Sequence, residues 1–411
     1  MLRLRRPATW VTAVVLGFAP APALAQQIPL AISAPGAGAQ LLEPSRPAPI
    51  TLTPTIAVFE EYNDNLFLNN SNRRSDWITA IAPAFTLTGE SETYKLTAGY
   101  SFAVEEYARE TSLNEVFDRQ NFLLGGLYRA SPRLTLTLTD SYIASVNTNL
   151  VSPSGVATGR TRAWSNAVTS GAVWQVTPVT TLRLSGAYVA QRFEQQNLDG
   201  SDVYSARGTV ERRLTPRLSG TAGYEIAYLD VERQRPVTTH TPQLGGVYRF
   251  TEALTGTASG GPTFVLQEGA RGRIAPAASA SLQQRFQFGS ASVEYQRAVA
   301  TAGGLGGTTN NDSVAGLLQI TNVARGFTLE LGPRYTRASS DDGQIDVHTL
   351  TLGLRASYRL TNWLTAFAGY TFFQQRASST PTGTGGVLLS ADADQNRVSF
   401  GLQIGYPLKF N

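Results

Sequence analysis

The chain ends in the stretch VSFGLQIGYPLKFN, residues 398–411. Every second residue from Val398 to Phe410 is apolar, and the residues between them are small or polar. A period of two places alternate side chains on opposite faces of a β-strand, whereas residues three and four apart mix the two types here. The stretch therefore predicts a long strand with one wholly apolar face and one small or polar face.

The same alternation runs through the chain from about Thr51 onward. It is clear over residues 94–105, 134–142 and 349–358, where Leu, Tyr and Ala alternate with Thr, Ser and Gly. Strands of a transmembrane barrel show this pattern, with apolar side chains towards lipid and small or polar ones towards the lumen. In a secreted β-sandwich or solenoid, the alternative classes, the outward face would instead be polar and charged and the apolar face would point inward.

A short turn phrase recurs between these strands. It reads YRASPRLTLT from 128, WQVTPVTTLRL from 174, RRLTPRLSGT from 212, YRFTEALTGT from 248 and YRLTNWLTAF from 358. The first three spacings are 46, 38 and 36 residues, which is the length of two membrane strands and one longer loop. The longer polar loops are predicted at 61–74, 108–116, 147–160, 195–202, 232–237, 268–272, 301–311, 339–345 and 377–393.

These signals predict an all-β chain: a transmembrane antiparallel up-and-down β-barrel over residues 51–411. The turns and loops divide the chain into about 18 strands, and a count of 16 stays open. Short turns are expected at the periplasmic side and longer loops at the extracellular side.

The N-terminal residues indicate export. Three arginines precede an apolar run that ends in Ala23, Leu24 and Ala25, which predicts a cleaved signal peptide over residues 1–25. Residues 26–50 are rich in Pro and Ala without a period, and we expect a disordered periplasmic leader there. The predicted localisation is the bacterial outer membrane.

Composition excludes several classes of function. Of 34 Lys and Arg residues, three lie in the predicted signal peptide, so 31 basic residues balance 30 acidic ones and no nucleic-acid partner is expected. The chain contains no cysteine, which excludes disulfides and thiolate metal sites. Only 16% of residues are charged, fewer than on most soluble surfaces, and no later apolar run reaches the length of a membrane helix.

Charged residues on the small or polar face are the candidate lumen-lining residues. By the alternation they are Lys95, Glu105, Arg129, Arg183, Glu225, Glu330, Arg334, Arg355, Arg359 and Arg397. Two interpretations stay open: they set the field of an aqueous pore, with a weak preference for anions, or they pair with one another and stiffen the wall.

Aromatic residues close to the turns are candidates for the membrane interface on the periplasmic side. They are Tyr128, Trp174, Tyr248, Tyr358, Tyr406 and Phe410. Outer-membrane lipid is therefore an expected partner, and the barrel assembly machinery is expected to recognise the C-terminal strand.

Two groups of residues are candidates for sites of chemistry. The stretch EEYNDNLF, residues 60–67, carries acids and amides that suit a hard cation, but a solvated turn explains them better. His240 and His348 are expected near the external ends of strands, where a hydrolase site is the alternative to plain surface residues. No local motif marks a nucleophile, so no catalytic residue, metal or cofactor is predicted and the chain is not expected to be an enzyme.

Residues 53–102 resemble the start of an outer-membrane β-barrel porin family that is often encoded beside exopolysaccharide export systems. The resemblance rests on Glu61-Tyr62-Asn63-Asp64-Asn65, then on Ser75 and Asp76 before a strand that contains Pro83. It implies a channel for small polar solutes or for secretion of an exopolysaccharide, with polysaccharide export components as partners. A non-conducting scaffold of a secretion system and a hydrolase at the rim remain the alternatives.

Overall fold

The computed structural model describes residues 50–152, 154–321, 323–378 and 392–410. The predicted signal peptide and leader lie outside the described residues, except for Ile50, which begins the first strand.

The described chain is built almost entirely of long strands. They are β1 (Ile50–Asn63), β2 (Asp76–Glu90), β3 (Tyr94–Tyr107), β4 (Glu115–Ser131), β5 (Leu134–Asn147), β6 (Arg160–Thr177), β7 (Thr180–Phe193), β8 (Ser201–Arg213), β9 (Leu218–Val231), β10 (Val237–Arg249), β11 (Leu254–Gln267), β12 (Arg273–Phe286), β13 (Gly289–Thr301), β14 (Thr308–Ile320), β15 (Phe327–Ser339), β16 (Asp346–Arg359), β17 (Leu364–Ala377), β18 (Ala393–Gly405) and the short β19 (Leu408–Phe410). Single helical turns occur at Thr111–Leu113 and Thr148–Val151. Within the described ranges, no helix is long and apolar enough to cross a bilayer.

Each of the first 17 strands pairs antiparallel with the next, and β18 and β19 both pair with β1. Thr55 lies opposite Gly405 and Asn63 opposite Arg397. Beyond the interruption at Pro407, β19 continues the line of β18, so that Phe410 lies opposite Ile50. The result is a closed barrel of 18 long strands, which confirms the predicted fold class and selects 18 over 16.

The recurring turn phrase has a local cause. The hydroxyl of Thr215 accepts the backbone N–H of Leu218 at 3.0 Å, and Thr361 does the same for Leu364 at 3.0 Å. A Thr or Ser side chain that caps its own turn in this way favours a tight reversal. These turns lie at one end of the barrel, and the longer connections lie at the other, as in bacterial outer-membrane barrels.

The outer face carries the apolar side chains. In β18, Phe400, Leu402 and Ile404 each expose about half of their surface, 48–50%. The same holds on strand after strand, which gives an exposed apolar surface far larger than the patches of soluble proteins. Because the barrel is closed, the backbone N–H and C=O groups of every long strand can pair with a neighbouring strand while this apolar surface lies in lipid. The chain is thus built as an outer-membrane barrel.

The inner side of the last strand differs from expectation. The alternation predicts that its small or polar residues point into a lumen, yet Ser399 and Gln403 are buried. Gly401 lies directly between Phe59 of β1 and Phe367 of β17, whose rings are 5.9 Å apart in an edge-to-face contact. A Cβ at position 401 would come within 2.4 Å of the carbonyl oxygen of Val58. The residues here are small because inward aromatic rings cover them.

The two ends of the outer face are polar in different ways. Near the external strand ends, cross-strand pairs of arginine and aspartate form what we call the outer collar: Arg192 with Asp202, Arg297 with Asp312, Arg337 with Asp346, and Arg376 with Asp394. At the other end lie the predicted interface aromatics Tyr128, Trp174, Tyr248, Tyr358, Tyr406 and Phe410, all exposed. The apolar belt lies between these borders, and contact of the aromatics with lipid headgroups stays a prediction.

A substitution pair tests the two faces of one strand. Val293 on β13 is 53% exposed and lies opposite Leu282, whereas its neighbour Ser292 faces inward opposite Gln283. We expect Val293→Arg to lower the free energy of unfolding by up to about 2–4 kcal/mol, since lipid cannot solvate the guanidinium. Ser292→Arg should change it far less. Reversible urea unfolding in lipid vesicles measures both, and equal losses would contradict the assignment of faces.

Candidate functional site in the barrel interior

The structure places the predicted lumen-lining residues on the inner face. Cross-strand pairing puts on one face the residues Lys95, Glu105, Arg129, Arg183, Glu225, Glu330, Arg334, Arg355, Arg359 and Arg397. They do not form one cluster. Some lie in a buried network near the external end, some along the middle of the wall, and Arg129 and Arg359 at the periplasmic ends of β4 and β16.

A buried ionic network joins β18, β1, β3 and β4. Arg397 donates to Glu61 at 2.6 and 2.9 Å, and Arg119 lies between Glu61 at 3.4 Å and Glu105 at 2.7 Å. The Tyr107 hydroxyl donates to Glu105 at 3.1 Å. Glu61 and Arg397 are almost completely buried, at 1% and 2% exposure. These charges hold strands together on either side of the seam where the barrel closes.

The arginines along the middle of the wall also face carboxylates. Arg183 donates to Glu211 at 3.1 Å, and Arg207 lies 3.6 Å from Glu225. Arg355 lies directly opposite Glu330. Of the two open interpretations, this geometry favours pairing for the upper and middle wall, because each of these positive charges has a negative neighbour. Four residues that complete these pairs are not among the predicted ones: Glu61, Arg119, Arg207 and Glu211.

Between the paired charges, the wall is polar and partly exposed. On β8 to β13 it presents small hydroxyl and amide side chains such as Thr209, Gln243, Ser259, Ser281 and Ser292. Thr257 and Ser281 hydrogen-bond across β11 and β12 at 2.7 Å. This sector can therefore solvate a polar solute, whereas the sector from β17 to β3 is covered by Phe59, Phe367 and the buried network.

The connection between β5 and β6, residues 148–159, crosses the interior instead of extending outward. The backbone of Ala157 exchanges two hydrogen bonds with the Gln375 side chain on β17, at 2.8 and 2.9 Å. Val156 packs with Ile345 and Val347 in an apolar cluster. We call this segment the crossing loop. Residue 153 in it lies outside the described residues.

Other external loops pack onto the crossing loop. Gly303, at a φ of +60°, lies so close to Ser152 that a Cβ there would meet the serine hydroxyl. The Asp199 N–H donates to the Gly304 carbonyl at 3.0 Å, and Asp199 also pairs with Arg233. Together these loops form a packed external cap. In it, a hydrogen bond from the Ser340 hydroxyl holds the pKa of Asp342 below its usual range.

One signal for this cap is present in the sequence of the loop itself. Loops at a barrel rim are normally polar, but the 147–160 connection contains Val151, Val156 and Ala157, all buried here. Apolar residues in a predicted loop indicate that it packs against something.

The carboxylate and amide oxygens of residues 60–67 do not converge on one point where a cation could bind. Glu60 points outward and accepts a hydrogen bond from Thr79 at 2.8 Å, while Glu61 points inward to Arg397. Asp64 accepts from the Asn396 side chain at 2.7 Å. The described part of the chain contains no group of three or more His, Cys, Asp or Glu residues that could hold a metal ion.

Both histidines lie on the outer face, each against a tyrosine of the preceding strand. His240 Nδ1 is 2.6 Å from the Tyr224 hydroxyl, and His348 Nδ1 is 2.6 Å from that of Tyr335. His348 Nε2 also lies 3.5 Å from Asp346. Among the described contacts, no serine or threonine hydroxyl bonds either histidine, so a Ser–His or Thr–His pair is not formed there.

Comparisons with known proteins add little to this geometry. No protein-family model and no curated protein matches the chain. Among solved structures it is similar to Acinetobacter baumannii OccAB4, with 11% identity, coverage of 89% of this chain and 100% of that one, and a TM-score of 0.41. It is also similar to Pseudomonas aeruginosa OccK5 (OpdH), with 10% identity, coverage of 87% and 98%, and a TM-score of 0.43. For the siderophore receptor PirA from Pseudomonas aeruginosa the identity is 11%, the coverage 88% and 81%, and the TM-score 0.39.

At identities and scores this low, we base neither the fold nor a function on these structures. The barrel rests on its own strand pairings, and the resemblance of residues 53–102 to a porin family stays a prediction.

The buried network gives a stability prediction. Arg397→Met should lower the free energy of unfolding by about 3–5 kcal/mol, because Glu61 keeps only its longer contacts with Arg119. Adding Glu61→Leu should recover much of that loss. As a control, Arg74→Met breaks the exposed pair with Glu110 and should cost at most about 1 kcal/mol. Urea unfolding measures all three, and equal effects of Arg397→Met and Arg74→Met would contradict the buried role.

Proposed function

We propose that this protein is an outer-membrane channel for polar solutes, with the external cap as its narrowest part. The observation that carries the proposal is the polar, partly exposed inner wall of β8 to β13 inside a closed barrel of 18 strands. Barrels of this size usually enclose an aqueous lumen, whereas eight-stranded ones are filled by their own side chains.

The cap supports control of the channel by a single loop. The crossing loop joins β5 and β6 but is fixed on the far wall by Gln375 and by the apolar cluster around Val156. The loop thus spans the mouth from β5 and β6 on one side to β17 on the other, where the Gln375 side chain is its polar contact. Release of that anchor would widen the path without breaking the barrel.

The alternatives differ in measurable ways. A non-conducting scaffold would show no current when the purified protein is inserted into planar bilayers. A rim hydrolase would lose a lipid- or peptide-cleaving activity in His348→Ala, although neither histidine has a serine or threonine hydroxyl beside it among the described contacts. Secretion of an exopolysaccharide rests on the resemblance, and the lipid, assembly and export partners stay predictions.

A disulfide between the crossing loop and the wall tests the role of the cap. A Cβ on Gly155 would lie 3.5 Å from Thr349 Oγ1, so cysteines at these two positions are within reach of each other. The chain has no other cysteine. We expect Gly155→Cys/Thr349→Cys to show a low, steady conductance when oxidised and a larger, fluctuating one after reduction.

Each single cysteine variant is the matched control and should not respond to reductant. Gln375→Ala, which removes the anchor without a crosslink, should raise the conductance in the same direction as reduction. Conductance that ignores both the disulfide and Gln375→Ala would contradict a gating role for the cap, and absent conductance in every variant would favour the scaffold.

A further inference from the structure

One carboxylate interrupts the apolar outer face of the barrel near the centre of a strand. Leu136 and Leu138 of β5 face outward and are exposed, and Asp140 follows them on the same face. It lies opposite Leu124 of β4 and Val168 of β6. The carboxylate is therefore on the side of the wall that faces lipid, among apolar neighbours.

The depth of Asp140 is that of the apolar belt. Towards the periplasm, β5 begins opposite the interface aromatic Trp174. Towards the outside, Ala144 lies opposite Trp164, which in turn lies opposite Arg192 of the outer collar. At about 3.3 Å per residue, Asp140 is roughly 20 Å along the strand from the first border and roughly 13 Å from the second. In the described strands, the other charged side chains of the outer face lie near the strand ends.

Asp140 has one hydrogen-bond partner in the described part of the chain. The side-chain Nδ2 of Asn166 on β6 donates to its Oδ1 at 2.7 Å, and no Lys, Arg or His pairs with it there. The next outward residue, Tyr142, packs its ring against Trp164 with the centroids 6.1 Å apart, and within the same residues its hydroxyl makes no hydrogen bond. Lipid tails offer neither donors nor charge, so a carboxylate at this depth calls for a partner outside the chain.

Small residues beside Asp140 allow another surface to approach closely. Ser170 of β6, Gly186 of β7 and Ala206 of β8 lie opposite one another on the outer face, and Gly126 lies there on β4. Surfaces that associate within membranes combine small residues with a few polar ones, because close approach permits packing and hydrogen bonds between chains. We call the following set the Asp140 patch: Asp140, Tyr142, Asn166, Ser170, Gly126, Gly186 and Ala206.

Depth decides which surface can cover this patch. Two copies of one chain insert in the same orientation, so the centre of one outer face meets the centre of the other. Outside the patch, the centre of the described outer face is apolar, as at Val314, Leu354 and Phe400. Those residues would leave Asp140 without a donor, whereas a second Asp140 patch supplies donors at the right depth. A contact in which the same patch is used by both copies has two-fold symmetry.

Donors in the patch offset the repulsion between two facing carboxylates. An asparagine side chain carries two N–H donors, and Asn166 uses one of them for its own Asp140. The second N–H is available to the carboxylate of the other copy, and the hydroxyl of Tyr142 is a further donor. Two Asp140–Asn166 pairs can thus form a connected set of hydrogen bonds that excludes lipid.

We propose that two copies of this protein associate side by side in the outer membrane through the Asp140 patch. The contact places Asp140 and Asn166 of each copy between the two barrels, away from lipid. It involves neither the lumen nor the external cap, so it goes beyond the proposed channel function and does not depend on it.

A crosslink in lipid vesicles tests the contact in the full-length mature protein. The chain has no cysteine, so Leu138→Cys places a single thiol on the outer face next to Asp140. The matched control Leu354→Cys places one on the outer face of the distant β16. With mild oxidant and at a low ratio of protein to lipid, we expect a disulfide-linked dimer from Leu138→Cys and monomer from Leu354→Cys. Equal crosslinking of the two variants would overturn the inference.

The decisive variant is Asp140→Leu/Asn166→Leu. Sedimentation equilibrium in detergent micelles should give twice the chain mass for the wild type, and the variant should raise the dissociation constant of the dimer about tenfold, as expected for lost hydrogen bonds between chains in a membrane. The matched control Glu60→Leu/Thr79→Leu removes another outward carboxylate and its hydrogen-bond partner, and should dimerise like the wild type. A monomeric wild type, or an unchanged constant in the variant, would contradict the patch. A trimeric mass would refute the two-fold contact.

The crosslink uses the native patch, so it stays informative if the double variant does not fold. If Leu138→Cys in native outer membranes forms a disulfide-linked adduct with a different protein and not with itself, the patch binds another chain and self-association is refuted. The conductance of each barrel should be the same in the wild type and in Asp140→Leu/Asn166→Leu, so these results leave the test of the channel separate.

Discussion

The structure depends on one constraint, the need of every strand to find backbone hydrogen-bond partners on both sides while its outer face lies in lipid. A sheet with free edges cannot meet that need, so the pairing of β1 with β18 and β19 is the step that makes all other features tenable. Pro407 has no backbone N–H to donate and lies where the last strand is interrupted. The pairing with β1 resumes after it, in β19. The buried charges of Glu61, Arg119 and Arg397 lie across this same seam.

Closure also decides what the inner face can hold. The alternation of side chains sends every second residue into a confined space, where charges lose part of their hydration and so gather counter-charges. Arg183 with Glu211 and Arg207 with Glu225 follow from this, on strands that are direct neighbours. Around β18 the inner face instead carries small residues such as Gly401, and the rings of Phe59 and Phe367 cover them. The interior is thus divided into a packed sector and a polar one.

The two ends of the barrel are chemically unlike. At the external end, loops fold inward and their apolar residues, among them Val156 and Ile345, bury one another over the mouth. At the periplasmic end the turns are too short to fold over anything, and the arginines that end the strands stay open to water.

The sequence by itself determined the class of fold and the two faces of the strands, and it limited the strand number to 18 or 16. A period of two is local: Leu402 and Ile404 alternate with Gly401 and Gln403 whatever the rest of the chain does, and a threonine that caps its own turn, as at Thr361, acts over three residues. Such short-range rules repeat for the whole chain, so they also predicted the positions of the connections.

Only the tertiary structure decided which residues meet across the interior. Glu61 and Arg397 are 336 positions apart, and Ala157 and Gln375 are 218 apart, so no local pattern links them. Their contacts exist because closure brings the first strand to the last and because the crossing loop turns inward. For the same reason the sequence identified several of the inward arginines, such as Arg183 and Arg397, but not which of them have carboxylate neighbours, since pairing depends on the register between strands.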